Sequence, residues 1–185
     1  MRILMRYTHD GLSVLFQCCV ALIKGCCGVF ILTAVISAGN AAEDASPKRS
    51  ADYIISDITA IDLRNGTEWM RCSVGQQFNN GECTGEVVRL NQQEAAQAAR
   101  LASRQLGGLW RLPTRDELQN LVCDECEEVK IDSIVFPDTE AEPYWTGEKN
   151  WISPKNYWSV NFMTGHSYGR FFGYQQLAVR LVKAR

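Results

Sequence analysis

Runs of apolar and polar residues change their period several times in this sequence, and each change marks an element. Tyr53 to Asp62 is rich in β-branched residues and reads as a first strand, closed by Asn65-Gly66. Thr67-Glu-Trp69-Met-Arg71 continues as a short strand into Cys72. From Asn91 the period lengthens. Asn91 and Glu94 form a capping box, in which the first side chain accepts from a backbone N–H three residues on and the carboxylate reaches back. It opens a predicted helix over Gln92 to Leu106 that stops at Gly107-Gly108. Ala95, Ala98, Ala99, Ala102 and Leu106 give this helix a stripe of mostly small residues, suited to lie close against a sheet. Thr114 with Glu117 is a second capping box and predicts a short helix over Arg115 to Val122, while Pro113 blocks extension upstream. Ile131, Ile134, Val135 and Phe136 read as a buried turn before Pro137.

The C-terminal part favours strands. Trp158, Val160 and Phe162 alternate with Ser159 and Asn161, which predicts one buried and one wetter face. Gly165 closes a turn, and Arg170 to Tyr174 and Leu177 to Val182 supply two further strands. Helices early and strands late, with the opening strand available to the last one, predict an α+β fold. Its expected form is two short helices on a twisted, mainly antiparallel sheet with paired termini.

The N-terminal 42 residues stand outside that pattern. An apolar run from Cys26 to Ala38 follows Lys24 and ends in Gly39-Asn40-Ala41-Ala42, the signature of a secretory signal peptide cleaved after Ala41 or Ala42. Leu12 to Ile23 is apolar as well, so an uncleaved anchor is the rival reading. Residues 43–52 form a polar lead-in and 53–185 a single domain.

Removing the leader removes Cys18, Cys19, Cys26 and Cys27, leaving Cys72, Cys83, Cys123 and Cys126. Four cysteines in an exported chain read as two disulfides, with three possible connectivities. Cys72–Cys83 with Cys123–Cys126 is favoured, because Gly75, Asn79, Asn80 and Gly81 let the first segment turn back on itself. Beyond residue 42, sixteen Lys and Arg face twenty Asp and Glu. That acidic balance argues against nucleic acid as a partner. Arg170, Arg180, Lys183 and Arg185 nonetheless make the C-terminal end basic, leaving room for local attraction to a polyanion.

Trp69-Met-Arg-Cys72, the Ala-rich helix, Gly107-Gly-Leu-Trp-Arg-Leu-Pro-Thr-Arg-Asp-Glu-Leu118, Tyr144-Trp145, Trp158 to Phe162 with Gly165, and Val179 to Val182 occur in an order that resembles the Lcl C-terminal domain family. That family takes its name from a bacterial collagen-like adhesin. The resemblance covers about Asp57 to Arg185 and implies a C-type-lectin-like fold, related to formylglycine-generating enzymes and phage receptor-binding proteins. It also implies exported, surface-associated binding, with adhesion and glycosaminoglycan recognition attributed to the namesake. Two departures weigh on this. No Gly-X-Y tract precedes the domain, and its acidic charge suits sulfated polysaccharides poorly.

Catalysis finds little footing. Beyond the leader His166 is the one histidine, too few for the usual zinc site. Cys123-Asp-Glu-Cys126 sits at the far end of a helix among acids that disfavour a thiolate, so redox activity is not expected. The late cysteine pair of the formylglycine-generating enzymes is missing after Cys126. No cofactor is expected; Asp138, Glu140 and Glu142 could supply some of the oxygens that calcium needs. Lectin-like folds use their long loop region, which the resemblance places at Tyr144 to Tyr157 and Gly165 to Tyr174. Trp151, Lys155, Tyr157, His166, Tyr168, Arg170 and Tyr174 are therefore the candidate ligand-binding residues, with Trp145 and Trp158 assigned to the core. The expected function is recognition of a glycan or surface protein, or a structural subunit of a pilus, secretion or other envelope assembly. Membrane contact is expected through the leader alone, and only where it stays uncleaved.

Overall fold

A computed structural model describes residues 52–184; the expected leader and most of the expected polar lead-in lie outside the described residues. The architecture is α+β, with two helices and three mainly antiparallel sheets. Strands β1 (Tyr53–Ile55), β2 (Thr59–Asp62), β3 (Thr67–Met70) and β9 (Val182–Ala184) form one sheet in that order. Hairpin β4 (Gln77–Asn79) and β5 (Glu82–Thr84) forms the second. The third joins β6 (Pro143–Lys149), β7 (Asn156–Asn161) and β8 (His166–Phe172).

The expected strand over Tyr53 to Asp62 is two strands. Ser56 turns the chain: its N–H donates to the Thr59 carbonyl at 2.9 Å and its hydroxyl to the same oxygen at 3.1 Å, so β2 folds back on β1. β-Branched residues on both sides hid that turn. Consequently the last strand pairs with β3 rather than with the opening strand. Hairpin β4–β5 was not foreseen as strands, although its Asn80-Gly81 turn, with φ of 50° and 96°, is the usual two-residue link. The disulfide Cys72–Cys83 staples it to the end of β3.

Both helices begin where their caps predict. Helix α1 spans Gln92–Leu106 and α2 Arg115–Gln119, each with a complete capping box. Ala95 and Ala99 bury the predicted face of α1, but Leu106 is exposed at its end. Helix α2 stops three residues short of Val122. There the chain turns to bridge Val122 with Ile131, a return fastened by the Cys123–Cys126 disulfide. The Trp110-Arg-Leu-Pro-Thr114 block is a junction. Arg111 pairs through its backbone with Val182, and its guanidinium forks onto both Glu117 oxygens at 2.7 Å. The Pro113 carbonyl accepts from Gly147 of β6 at 2.8 Å.

Two apolar clusters fill the interior. Trp69, Phe136, Tyr144, Val160 and Phe162 centre the first; Ala95 and Ala99 of α1 pack with Trp110, Trp145 and Val179 in the second. Several burial expectations change. Ile134 is exposed, since its turn faces it outward while Val135 and Phe136 are buried. Ser159 is fully buried and Trp158 only partly, because register shifts in β6–β7–β8 reset the alternation. Leu177 to Leu181 forms no regular strand; it pairs through single bridges at Leu177 with Leu90 and at Ala178 with Tyr144, and β9 starts at Val182.

Arg180 is the largest correction. It is fully buried instead of contributing to a basic end. Its guanidinium donates to the carbonyls of Met70 and Arg71 and to Thr139 Oγ1, and lies 4.9 Å from the centre of the Phe136 ring. Lys183 is also engaged, with Glu68 at 3.2 Å. Arg180 and Lys183 are thus engaged within the fold, while Arg170 stays exposed.

Candidate functional site

The β6–β7–β8 sheet divides the predicted binding residues between its two ends. At one end Lys149 pairs with Tyr157, Tyr157 with Phe171, and Asn156 with Phe172. At the other, Pro143 pairs with Asn161 and Asn161 with His166. Trp151, Lys155 and Tyr157 therefore share an end with the turn carrying Tyr174, whereas His166 belongs to the opposite one. Tyr168 faces Ser159 in mid-sheet, and Arg170 is exposed with its guanidinium 4.8 Å from the Tyr168 ring centre.

The loop between β6 and β7 is built around Asn150. Its backbone N–H donates to the Asn156 carbonyl at 2.8 Å, its Oδ1 accepts from the Ile152 N–H at 3.0 Å, and its Nδ2 donates to the Gly169 carbonyl at 2.8 Å. A side chain at 169 would collide with that amide, as a Cβ there would sit 2.7 Å from Asn150 Nδ2 and 3.1 Å from the Trp158 ring. The fastened loop carries Trp151 and Ile152 at its tip, 82% and 73% exposed. Tyr157, by contrast, is half-buried, edge-on to Trp145 and under the Lys149 ammonium.

After β8 the chain turns at Phe172–Gln175, where Gln175 Oε1 accepts the Phe172 N–H at 2.7 Å. The rings of Phe172 and Tyr174 stack, 5.4 Å apart and 7° from parallel, and Tyr174 is 75% exposed. Beside this turn lies an open groove of about 510 Å³, lined by Tyr174, Gln175, Gln176, Glu142 and Pro143 over Phe171 and Leu177. Glu142 binds Arg89 through Oε2 at 2.9 Å, and its Oε1 is buried with no protein partner among the described residues. Trp151 and Tyr174 are candidates in the sequence reading; Ile152, Phe172 and the two glutamines that the structure places beside them are not. Phe171-Phe-Gly-Tyr174 did carry a signal, an aromatic run broken by glycine, but as a strand.

The remaining candidates lie apart. His166 is exposed, its Nδ1 donating to the Thr164 carbonyl at 2.6 Å, and no carboxylate is hydrogen-bonded to it among the described residues. Asp138 Oδ2 accepts the Cys83 N–H at 2.7 Å, so Asp138 and Glu142 are turned to separate tasks. Among the described residues no three His, Cys, Asp or Glu side chains gather as a metal-holding group. None of their helices is long and apolar enough to cross a membrane. All four cysteines of the described residues are joined, Cys72 to Cys83 and Cys123 to Cys126, the favoured pairing.

No curated protein matches the sequence. The family described as the Lcl C-terminal domain matches residues 58–183, from the turn before β2 into β9. Both capping boxes, the Trp110 to Thr114 junction and the aromatic end of the sheet fall inside this span. With well over half of its sequence matched, the chain belongs to the Lcl C-terminal domain family.

Proposed function

We propose that the domain is an exported, non-enzymatic recognition module that holds a glycan in the groove beside Tyr174. The observation that carries this reading is the stacked, exposed Phe172–Tyr174 pair at the edge of a 510 Å³ open groove. A flat aromatic face receives the apolar face of a sugar ring, and neighbouring amides bond its hydroxyls. Gln175 has its Nε2 available, because its Oε1 is engaged by the turn; Gln176 is exposed. Two disulfides support export to an oxidising compartment. The α+β arrangement, with a C-terminal strand paired into the N-terminal sheet and a looped second sheet, supports a C-type-lectin-like fold. Adhesion follows as the role, and no cofactor takes part.

A glycan array followed by calorimetry tests the proposal. Tyr174→Ala should weaken the best ligand about tenfold, in line with about 1–2 kcal/mol for an aromatic platform. Absence of any glycan ligand at both low and high salt, or equal affinity of Tyr174→Ala, would overturn it.

A second reading, a structural subunit of an envelope assembly, draws on the opposite sheet. Edge strand β1 exposes Ile54, and Ile58 and Leu63 are exposed nearby. An apolar edge with no paired strand among the described residues invites strand addition by a partner. Co-purification of a stoichiometric protein, lost on Ile54→Lys, would favour this reading.

A further inference from the structure

We infer that the tip of the β6–β7 loop docks on the surface of an anionic phospholipid bilayer, with Trp151 and Ile152 entering the headgroup zone. Two adjacent large apolar side chains, 82% and 73% exposed, stand at the tip of the loop. Isolated exposed apolar residues are ordinary, but a paired tip held rigidly outward is not. The tip is convex, whereas a protein hot spot is a packed, pocketed surface. Tryptophan with flanking lysines is the side-chain combination that settles at a membrane interface.

Charge complementarity selects the headgroup. The segment Lys149 to Asn156 contains Lys149 and Lys155 and no acid, on a chain whose acids outnumber its bases by 21 to 19. Glu148, the nearest acid along the chain, is exposed beside Lys149 on β6, so with it counted two lysines still face one acid. The N–H groups of Asn150, Ile152 and Asn156 donate within the loop, to the Asn156 carbonyl, Asn150 Oδ1 and the Ser153 carbonyl, and those of Trp151, Ser153 and Lys155 are left to meet polar headgroup oxygens. Asn150 ties the whole loop to β8, so ordering it on the membrane costs little.

The test is partition of the full chain onto vesicles of phosphatidylglycerol and phosphatidylcholine, compared with phosphatidylcholine alone. Parent and variants carry the same N-terminus, so differences between them report the loop. Combined Trp151→Ser and Ile152→Ser should lower partition about tenfold or more, with an unchanged urea midpoint. Lys149→Gln and Lys155→Gln should each cost about fivefold on the anionic vesicles and nothing on phosphatidylcholine. Lipids brominated near the headgroup should quench the parent's fluorescence more than that of Trp151→Phe. Equal partition of parent and the double serine variant would overturn the inference. So would equal quenching in Trp151→Phe, or capture of a stoichiometric envelope protein by the loop while vesicle binding ignores its substitution. Tyr174→Ala should leave vesicle binding unchanged, which separates this outcome from that of the glycan groove.

Discussion

Arg180 shows what a single buried cation can organise. Burial pulls its guanidinium down to about 10, yet it remains charged at neutral pH, ringed by carbonyls, hydroxyls and the Phe136 ring. No carboxylate bonds to it among the described residues, so neutral acceptors and a ring face carry the charge. A planar fork can reach the Met70 carbonyl and Thr139 at once; an ammonium cannot. Arg180→Lys should therefore lower stability by about 2 kcal/mol or more in urea denaturation, through acceptors left unpaired. Glu117 gives a second case. The Arg111 fork holds its carboxyl below the ordinary 4.5, aided by the Thr114 N–H, against the opposing effect of burial. The unfolded chain then takes up this proton first. The pair's contribution is complete above the unfolded value and fades as pH falls through the lowered folded one. Glu117→Gln keeps a capping oxygen but no charge, so its unfolding free energy should fall less steeply below about pH 4.5 than the parent's. An unchanged slope would refute the linkage.

The staples and turns make separable contributions. Cys72–Cys83 closes a sequence separation of 11 and Cys123–Cys126 one of 3. Loop entropy gives roughly 3 kcal/mol for the first and about 2 kcal/mol for the second. Replacing the first pair by serine should thus cost more in urea midpoint, and should loosen the β4–β5 hairpin in hydrogen exchange. Gly169 acts on the β6–β7 loop from the neighbouring strand. Gly169→Ala should displace the Asn150 amide, lose about 1 kcal/mol and raise proteolytic cleavage between 150 and 155 while the core strands stay protected. Unaltered cleavage would mean the loop does not depend on that bond. The ends of these elements were legible to different degrees. Asn91 with Glu94 and Thr114 with Glu117 announced two helix starts because a cap satisfies donors within one turn of itself. The Ser56 turn was hidden because Ile54, Ile55, Ile58 and Thr59 fit equally well into one strand or two.

Across the domain, binding is expected to separate by location. Substitutions at Tyr174 should act on a glycan and substitutions at Trp151 on a lipid surface, while His166, at the other end of the sheet, should affect neither. A ligand whose affinity falls with His166→Ala would show that the two ends work together. Local chemistry in the sequence was enough for the α+β class, both helix starts, the two disulfides and the prominence of Trp151 and Tyr174. Most of these depend on residues close together in the chain. Strand β3 as the partner of β9, the burial of Ser159 and Arg180, and the split of the candidate binding residues between two sheet ends arise from register and packing. Those are set by contacts between residues far apart in the chain, such as Arg180 with Met70 and Lys149 with Tyr157 with Phe171, and no local period encodes them.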